Sequence, residues 1–302
     1  MVTFFVSVYE RETDTALRLT VESLRRFGRV VLHFDRRDLL RPWVGGLVDG
    51  VVFVDGLGWG RSWAYENVDD DYVCTVDSHV YMLRFEPAEI GDYRRFDYGF
   101  DVEDRPWTVV NSSVWHFGQI YWNRRFKTFV FDCERKWFSY NPLICMGRHV
   151  ARALRDLYGK YGLRIIPWRG YGADQEQVFV SAVRLFGPGR CVRELTYGHR
   201  ATASNTGHEF WSKRWVDEYT REWYQANACF LKLHYPRELW RLSPFDVSKC
   251  RYIDDETARR IQDEFRYTYW DFLRDVWDVL NEEDKKVAER ELSLKTSSEL
   301  DT

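Results

Sequence analysis

The stretch Tyr72-Val73-Cys74-Thr75-Val76-Asp77-Ser78-His79 joins a short apolar run to two polar side chains. The run has the length and the β-branched content of a strand, and Asp77 and His79 follow at its carboxyl end. Residues two apart in an extended segment point to the same side, so both side chains can face one point beyond the strand. A carboxylate and an imidazole at that spacing suit a divalent cation that holds phosphate; the alternative is a solvated strand end.

Strand and helix patterns alternate in the first eighty residues. Strand patterns cover residues 3–8, 29–34, 51–54 and 71–76, and helical spacing covers 15–27 and 62–67. This order predicts an α/β fold with a largely parallel sheet. Such sheets bind ligands outside the carboxyl ends of their strands. That edge would carry the loop after the first strand, Asp35 and the pair Asp77 and His79.

The rest of the chain shows weaker patterns. Gly28 stands where a C-cap glycine would end the first helix. Asp174 stands where an N-cap belongs, at the end of a glycine-punctuated loop. Residues 201–208 are small and polar, which is typical of a mobile lid. The other expected elements are strand patterns at 107–114, 127–131 and 191–197, a turn and a short buried strand within 140–147, and helices at 148–158, 175–185, 211–230 and 254–280.

Composition limits the class of protein. The 302 residues are 45% hydrophobic and 30% charged, as in an ordinary globular chain of one large or two small domains. The net charge is −3, and Lys and Arg are spread along the chain without clusters, so we expect no nucleic-acid partner. Without a long apolar run or a signal peptide, a cytoplasmic protein with no membrane span is expected. The six cysteines form no C-x-x-C pair, and free buried thiols are expected before disulfides.

Six short motifs in chain order resemble one family. They are A-L-R-L-T-V at 16–21, G-L with Arg61 at 56–61, D-S-H at 77–79, Y-G-A-D-Q at 171–175, G-H at 198–199 and R-W-V-D-E-Y at 214–219. Over residues 3–225 the chain thus resembles the catalytic domain of the polypeptide N-acetylgalactosaminyltransferases and related GT-A sugar transferases. The chain departs from the family in a shorter loop after G-H, in Asp174 for a loop glutamate and in Val54 for an arginine. We expect this protein to lack the family's membrane anchor and carbohydrate-binding module, so the acceptor and the sugar are not carried over.

The resemblance implies a GT-A, Rossmann-like nucleotide-sugar-binding fold with a mostly parallel central sheet. A catalytic domain would cover residues 1–225, a helical C-terminal extension 226–282 and a charged, disordered tail 283–302. The implied enzyme is a metal-dependent, retaining hexosyl- or N-acetylhexosaminyltransferase. It would move the sugar of a nucleotide-sugar, UDP-linked by first choice, to a hydroxyl of a glycan, a protein or a small molecule.

The resemblance also implies roles for individual residues. Asp77, His79 and His199 would bind the metal, Mn²⁺ before Mg²⁺ because imidazole is in the set. Asp174 and Gln175 would be catalytic: Asp174 would be the general base of an inverting enzyme, or would orient hydroxyl groups in a retaining one. The donor would contact Val8, Tyr9, Glu10, Asp35, Arg61 and Ser78. Asp35 would accept from the uracil N–H and Arg61 would meet the diphosphate; the alternatives are a turn residue at Asp35 and a surface cation at Arg61. The acceptor cleft or its lid would be framed by Trp168, Arg200, His208 and Trp211.

Two other functions remain open. One is a transferase for a small acceptor that uses a GDP-sugar, similar to mannosylglycerate synthase. The other is a non-catalytic protein that binds sugar nucleotides through a decayed site. The intact set of Asp77, His79 and His199, together with the loop carboxylate of Asp174, argues against decay.

Overall fold

The structure is a computed structural model of the chain. The residues it describes are 1–8, 10, 12–78, 80–85, 93–95, 99–101, 114–116, 119–121, 143–187, 196–199, 213–243, 245–277 and 282–300. The expected strands at 107–114 and 127–131 lie outside these residues except for Val114, and the expected lid at 201–208 lies outside them entirely.

Strands and helices alternate through the first half of the chain, and helices dominate the second. The strands are β1 (Val2–Ser7), β2 (Arg29–Phe34), β3 (Gly50–Phe53), β4 (Tyr72–Asp77), β5 (Val80–Arg84), β6 (Tyr93–Arg95), β7 (Gly99–Asp101), β8 (Val114–His116), β9 (Gln119–Tyr121), β10 (Leu143–Gly147) and β11 (Thr196–His199). The helices are α1 (Asp14–Arg25), α2 (Leu57–Asn67), α3 (Arg148–Gly159), α4 (Asp174–Phe186), α5 (Lys213–His234), α6 (Asp255–Asp263), α7 (Tyr269–Val276) and α8 (Glu282–Leu300). Short 3₁₀ helices span Arg37–Leu39, Val44–Gly46, Arg237–Leu242 and Val247–Lys249.

The central sheet has six strands in the order β3-β2-β1-β4-β10-β6. The first four pair in parallel, and β10 runs antiparallel to both of its neighbours. A second sheet contains β5, β11 and β7, and β8 pairs with β9. Register pairs Ser7 with both His33 and Asp77, so β1, β2 and β4 end at the same edge. The predicted α/β fold, with a mostly parallel sheet and a helical C-terminal part, is confirmed.

The strands β1, β4 and β10 in the middle of the central sheet are buried on both faces. Adjacent residues of β1 show this, because Phe4 packs in a core with α1 whereas Phe5 packs in the core of α2, α3, α4 and α5. Near-continuous apolar strands are what a covered parallel sheet requires. Gly28 does not end α1 in a left-handed conformation as expected; a Cβ there would collide with the carbonyl oxygen of Val2. The close approach to β1 explains the glycine.

The single helix expected at 254–280 is wrong, because the segment forms two helices. Thr268 starts α7 with a capping box, in which its hydroxyl accepts from the backbone N–H of Asp271 and the Asp271 carboxylate accepts from the N–H of Thr268. This pair satisfies the free backbone groups of a new helix start. The helical spacing of the aromatic residues therefore continues across the break between α6 and α7, which the pattern alone does not reveal.

The disordered tail expected at 283–302 is also wrong for the part that forms α8. The Glu291 carboxylate is buried and accepts hydrogen bonds from the hydroxyls of Tyr235 and Tyr269. Burial raises the pKa of Glu291. These contacts hold α8 on the helical part of the chain. The expected boundary between residues 225 and 226 falls inside α5, and the division into domains stays a prediction.

The four cysteines within the described residues form two disulfides, which corrects the expectation of free thiols at these positions. Cys74 and Cys145 join the neighbouring strands β4 and β10, and Cys229 and Cys250 join α5 to the residue after a 3₁₀ helix. Cys133 and Cys191 lie outside the described residues. Widely spaced cysteines carry no signal of their pairing, since pairing depends on which strands and helices become neighbours.

Reduction of the two bridges is expected to lower stability. They close segments of 71 and 21 residues, and loop-closure entropy gives about 3 to 5 kcal/mol for each. Calorimetry with and without a reductant would measure the fall in Tm, and the double variant Cys74→Ser, Cys145→Ser should reproduce its larger part. Six free thiols in the unreduced, denatured chain would contradict the pairing.

Candidate functional site

The candidate site lies at the carboxyl edge of the parallel strands. Asp77 is the last residue of β4 and is fully buried, as is Ser78. Val8 follows β1, is buried, and its N–H donates to the carbonyl of His33 on β2 at 2.9 Å. Asp35 follows β2 directly. The strand ends that the sequence placed on one edge therefore meet there.

The centre of the site is a buried group of four residues, which we name the Arg61 cluster: Arg61, Asp77, Asp174 and Gln175. One terminal nitrogen of Arg61 donates to Asp77 Oδ1 and the other donates to Asp174 Oδ2. Gln175 Nε2 also donates to Asp77 Oδ1, at 3.1 Å. All four side chains are at most 2% exposed. One residue expected to bind the metal, Asp77, and the two residues expected to catalyse, Asp174 and Gln175, thus form one hydrogen-bonded unit with Arg61.

Glycines bring α2, which carries Arg61, close to the site. A Cβ at Gly60 would overlap the imidazole of His33, and one at Gly58 would lie 2.5 Å from the carbonyl oxygen of Trp168. The N–H of Gly58 donates to the carbonyl of Arg169 at 2.9 Å. The start of α2 therefore contacts both β2 and the loop before α4. Any larger side chain at Gly58 or Gly60 would move Arg61 away from its two partners.

The loop that leads to Asp174 is packed on α5. Gly170 lies against Glu222, and Gly172, with a φ of 121°, lies against Trp223. Trp168 is fully buried and its indole N–H donates to the carbonyl of Gly172 at 2.8 Å. Trp168 was expected to frame the acceptor cleft; it holds this loop from inside instead.

The residue before Asp174 has an unfavourable backbone. Ala173 has a φ of 50°, the left-handed region in which residues other than glycine are uncommon. Ala173 is the N-cap of α4 and makes no side-chain cap, and the Asp174 carboxylate bonds to Arg61. The N-cap interpretation of Asp174 is therefore wrong. Backbone strain next to a buried carboxylate is typical of a functional site.

Glu176, one residue beyond Gln175, was missed by sequence reasoning. It is buried in the first turn of α4, and burial raises the pKa of its carboxyl to about 8, with the charge of Asp174 adding to the rise. No motif marks it, because its burial depends on how α4 packs. The site therefore holds a third carboxyl group that is mostly protonated at neutral pH.

The raised pKa makes stability depend on pH. Unfolded Glu176 titrates near its ordinary pKa of 4.5, whereas the folded group titrates at about 8. The stability it contributes is thus complete below 4.5 and is lost as the pH rises through about 8. We expect Glu176→Gln to remove this loss, on the order of a few kcal/mol, so that its Tm falls less than that of the wild type between about pH 5 and 8. Equal falls in calorimetry would contradict the assignment.

Ser78 makes contacts on the side of the sheet that carries α1. Its hydroxyl donates to Glu12 Oε2 at 2.7 Å, and its carbonyl accepts from the Thr20 hydroxyl at 2.9 Å. Glu12 is buried and was not singled out from the sequence. The Ser78 hydroxyl is therefore engaged with Glu12.

Asp35 is the carboxylate that follows β2 at the same edge of the sheet. Its Oδ1 is buried and has no hydrogen-bond partner among the described residues, and burial raises the pKa of the carboxyl. Nearby, burial lowers the pKa of His33 to about 4, so its ring is neutral, and Nε2 lies 2.9 Å from the carbonyl of Val54. Glu10 is exposed and pairs with Arg36 at 3.4 Å. A buried carboxylate oxygen without a partner among the described residues can accept a hydrogen bond from a ligand N–H.

The structure describes the expected histidine ligands only in part. His199 ends β11, and register pairs it with Val80, the residue after His79 in sequence. The side chain of His199 lies outside the description, as do His79, Tyr9, Arg200, His208 and Trp211. The backbone register is compatible with a ligand set drawn from both segments.

Of the expected metal ligands, only Asp77 has a side chain among the described residues, and its carboxylate is a ligand type that divalent cations prefer. Asp77 and Asp174 carry two negative charges against one on Arg61, so the Arg61 cluster keeps a net negative charge. Gln175 Oε1 is buried without a partner among the described residues. Within the described ranges, no three His, Cys, Asp or Glu side chains are grouped to hold a metal ion.

Structural comparison finds similarity to S. aureus TarS. Its crystal structure matches with a TM-score of 0.41 and 12% identity, over 87% of this chain and 42% of TarS. TarS 1-349 in complex with UDP-GlcNAc matches with a TM-score of 0.44 and 10% identity, over 87% of this chain and 71% of that one. Overlaps of this size assign neither a function nor a substrate to the chain.

Sequence comparison identifies a relative. No family model matches the chain. No helix in the described part of the chain has both the length and the apolar composition of a membrane span. A protein described as "Uncharacterized 38.7 kDa protein", from Thermoproteus tenax virus 1 (strain KRA1), is 41% identical over 273 residues, covering 82% of this chain and 80% of the viral one. The chain therefore belongs to the family of this viral 38.7 kDa protein.

Proposed function

We propose that the chain is a glycosyltransferase that uses a nucleotide-sugar, with a UDP-sugar as donor, a divalent metal ion and retention of configuration. One observation carries the proposal: Arg61 joins the strand-end carboxylate Asp77 to the loop carboxylate Asp174 at the carboxyl edge of a parallel sheet. Ligands bind α/β sheets at that edge. The resemblance assigns these two carboxylates to the donor metal and to the reacting carbon.

The donor base would occupy the end of β2. Asp35 Oδ1 is a buried acceptor without a partner among the described residues, which suits the N–H of uracil. Val8, Tyr9 and Glu10 would border the base from the loop after β1. Ser78 would contribute its peptide N–H to the ribose or the phosphates.

Asp77, His79 and His199 would hold the metal ion, Mn²⁺ before Mg²⁺. When bound, the ion would act as a Lewis acid that neutralises the charge developing on the leaving diphosphate. The remaining negative charge of the Arg61 cluster favours such an ion. The buried surroundings strengthen this attraction, since charges interact more strongly where water is excluded.

The residues of α4 would act on the sugar and the acceptor. Asp174 would orient the hydroxyl groups of the donor or the acceptor, and in the inverting alternative it would take the acceptor proton. Gln175 Oε1, buried and without a partner among the described residues, would accept a hydrogen bond from a sugar hydroxyl. A hexosyl or N-acetylhexosaminyl group and a hydroxyl of a glycan, a protein or a small molecule fit this arrangement.

Thermal stabilisation by UDP, GDP and ADP, each with and without Mn²⁺, tests the proposal. A ligand that binds only the folded chain raises its stability by about 2.7 kcal/mol at a concentration of 100 Kd. We expect UDP with Mn²⁺ to give the largest rise in Tm. A metal-dependent response to GDP alone would favour the GDP-sugar enzyme, and nucleotide binding without cleavage of any donor would favour a binding protein. No response to any nucleotide would overturn the proposal.

The ligand set has its own test. We expect His199→Ala to abolish the Mn²⁺-dependent part of the shift with UDP, because it removes a ligand, and to leave the metal-independent part. His149→Ala on α3, an exposed histidine away from this edge, is the matched control and should leave both parts unchanged. Equal responses of the wild type and His199→Ala would remove His199 from the set.

A further inference from the structure

We propose that Arg61 is a positioning residue. It holds the Asp174 carboxylate at a fixed distance from Asp77, and therefore from the donor bound there. The inference rests on the proposed function and assigns Arg61 a role other than the diphosphate contact that the resemblance implied. The observation behind it is that both terminal nitrogens of Arg61 donate to carboxylates from different parts of the chain.

The chemistry of the guanidinium group makes this link rigid. It is planar and always charged, and its N–H groups point in fixed directions. With one nitrogen on Asp77 Oδ1 and the other on Asp174 Oδ2, the distance between the two carboxylates is set by the guanidinium itself. Because all three side chains are buried, water does not compete for these bonds.

A second hydrogen bond supports the same relative position of Asp174 and Asp77. Gln175, which follows Asp174 at the start of α4, donates from Nε2 to Asp77 Oδ1 at 3.1 Å. The start of α4 is therefore tied to the end of β4 both directly and through Arg61. The backbone at Ala173 is strained, and the hydrogen bonds of Arg61 and Gln175 to Asp77 keep it in that conformation. Asp174 therefore depends on these bonds for its position.

The position of Arg61 is determined by α2 and not by a ligand. Gly60 lets α2 approach His33 on β2, and Gly58 bonds to the carbonyl of Arg169 in the loop before α4. A shift at any of these contacts would move Asp174 relative to the donor edge. Small misplacements of a reacting group lower turnover much more than binding, since catalysis needs near-attack geometry.

Arg61→Lys is the informative variant. It keeps the charge and the size of the side chain but replaces two fixed donors by one ammonium, which cannot hold both carboxylates in the same geometry. We expect kcat for donor cleavage to fall about 100-fold or more while KM and the Kd for UDP change by no more than about threefold. UDP binding by calorimetry and steady-state cleavage of the UDP-sugar supply the three constants.

Ser62→Ala is the matched control for a purely structural role. Ser62 is buried beside Arg61 on α2; its hydroxyl donates to Glu66 at 2.7 Å and accepts from the N–H of Ile166 at 3.0 Å. The change is expected to lower Tm without moving kcat. If Arg61→Lys lowers kcat only in proportion to the fraction of folded protein, or no more than Ser62→Ala does, the inference is wrong.

Chemical rescue distinguishes positioning from charge. In Arg61→Ala, methylguanidine is expected to restore turnover and methylammonium is not, because only a guanidinium offers two donors to two carboxylates. Equal rescue by both cations would overturn the inference, and if Arg61→Ala does not fold, Arg61→Lys decides it alone. A wild type that binds no nucleotide would instead overturn the proposed function, and thus the two failures are distinguishable.

Discussion

Arg61→Met is expected to lower the free energy of unfolding by about 3–5 kcal/mol, because it leaves two buried carboxylates without their shared cation. The uncompensated charges of Asp77 and Asp174 would lie where water does not reach them. Chemical denaturation followed by circular dichroism would measure the loss. The effect is large because breaking a buried ion pair removes the compensation and keeps the penalty of burying the charge.

Two comparisons make this result specific. Arg152→Met on α3 removes an exposed arginine paired with the exposed Asp69, and we expect a change below about 1 kcal/mol. The triple variant Arg61→Met, Asp77→Asn, Asp174→Asn removes all three charges and should regain most of the lost stability, but no activity. A loss for Arg61→Met no greater than for Arg152→Met would show that the buried bridge does not form.

Asp174→Asn is expected to have the largest effect on activity. The amide has the shape of the carboxylate but neither its charge nor its basicity, so turnover should fall by about 10²–10⁴-fold. Binding of UDP should stay within about threefold of the wild type, because Asp77 and Asp35 remain. Steady-state cleavage of a UDP-sugar together with calorimetric titration of UDP measures both quantities.

Asp156→Asn, on the exposed side of α3, is the control for this prediction and should leave turnover unchanged. If Asp174→Asn loses donor binding and turnover together, Asp174 belongs to the donor site and not to the reacting carbon. Unchanged turnover would exclude Asp174 from both.

The sequence was sufficient for the parallel sheet and for the edge at which Asp35 and Asp77 lie. Strand and helix patterns determine these, since connections between parallel strands follow few topologies. The link from Asp77 to Asp174 through Arg61 was not predicted. It depends on how closely α2 approaches the loop before α4. This approach is possible because Gly58 and Gly60 have no side chain that would collide with their neighbours.

Packing between distant segments accounts for the errors. The charged composition of the C-terminal residues indicated disorder, yet one buried carboxylate, Glu291, accepts hydrogen bonds from Tyr235, which follows α5, and from Tyr269 of α7, and so holds α8. Cys74 faces Cys145 because β10 lies beside β4 in the sheet, an order that spacing along the chain does not reveal. Ser78 and Glu12 likewise meet because β1 and β4, after which they lie, are neighbours in the sheet.

The central claim is most directly tested by NMR of the wild-type chain with nucleotide-sugars and Mn²⁺, in which phosphorus signals follow nucleotide release and proton signals follow the anomeric centre. We expect release of UDP from a UDP-sugar, slow without acceptor, with the first-formed sugar in the configuration of the donor. Asp174→Asn should release it at least about 100-fold more slowly. No release from any UDP- or GDP-sugar above the rate for Asp174→Asn would contradict the assignment of this chain as a glycosyltransferase.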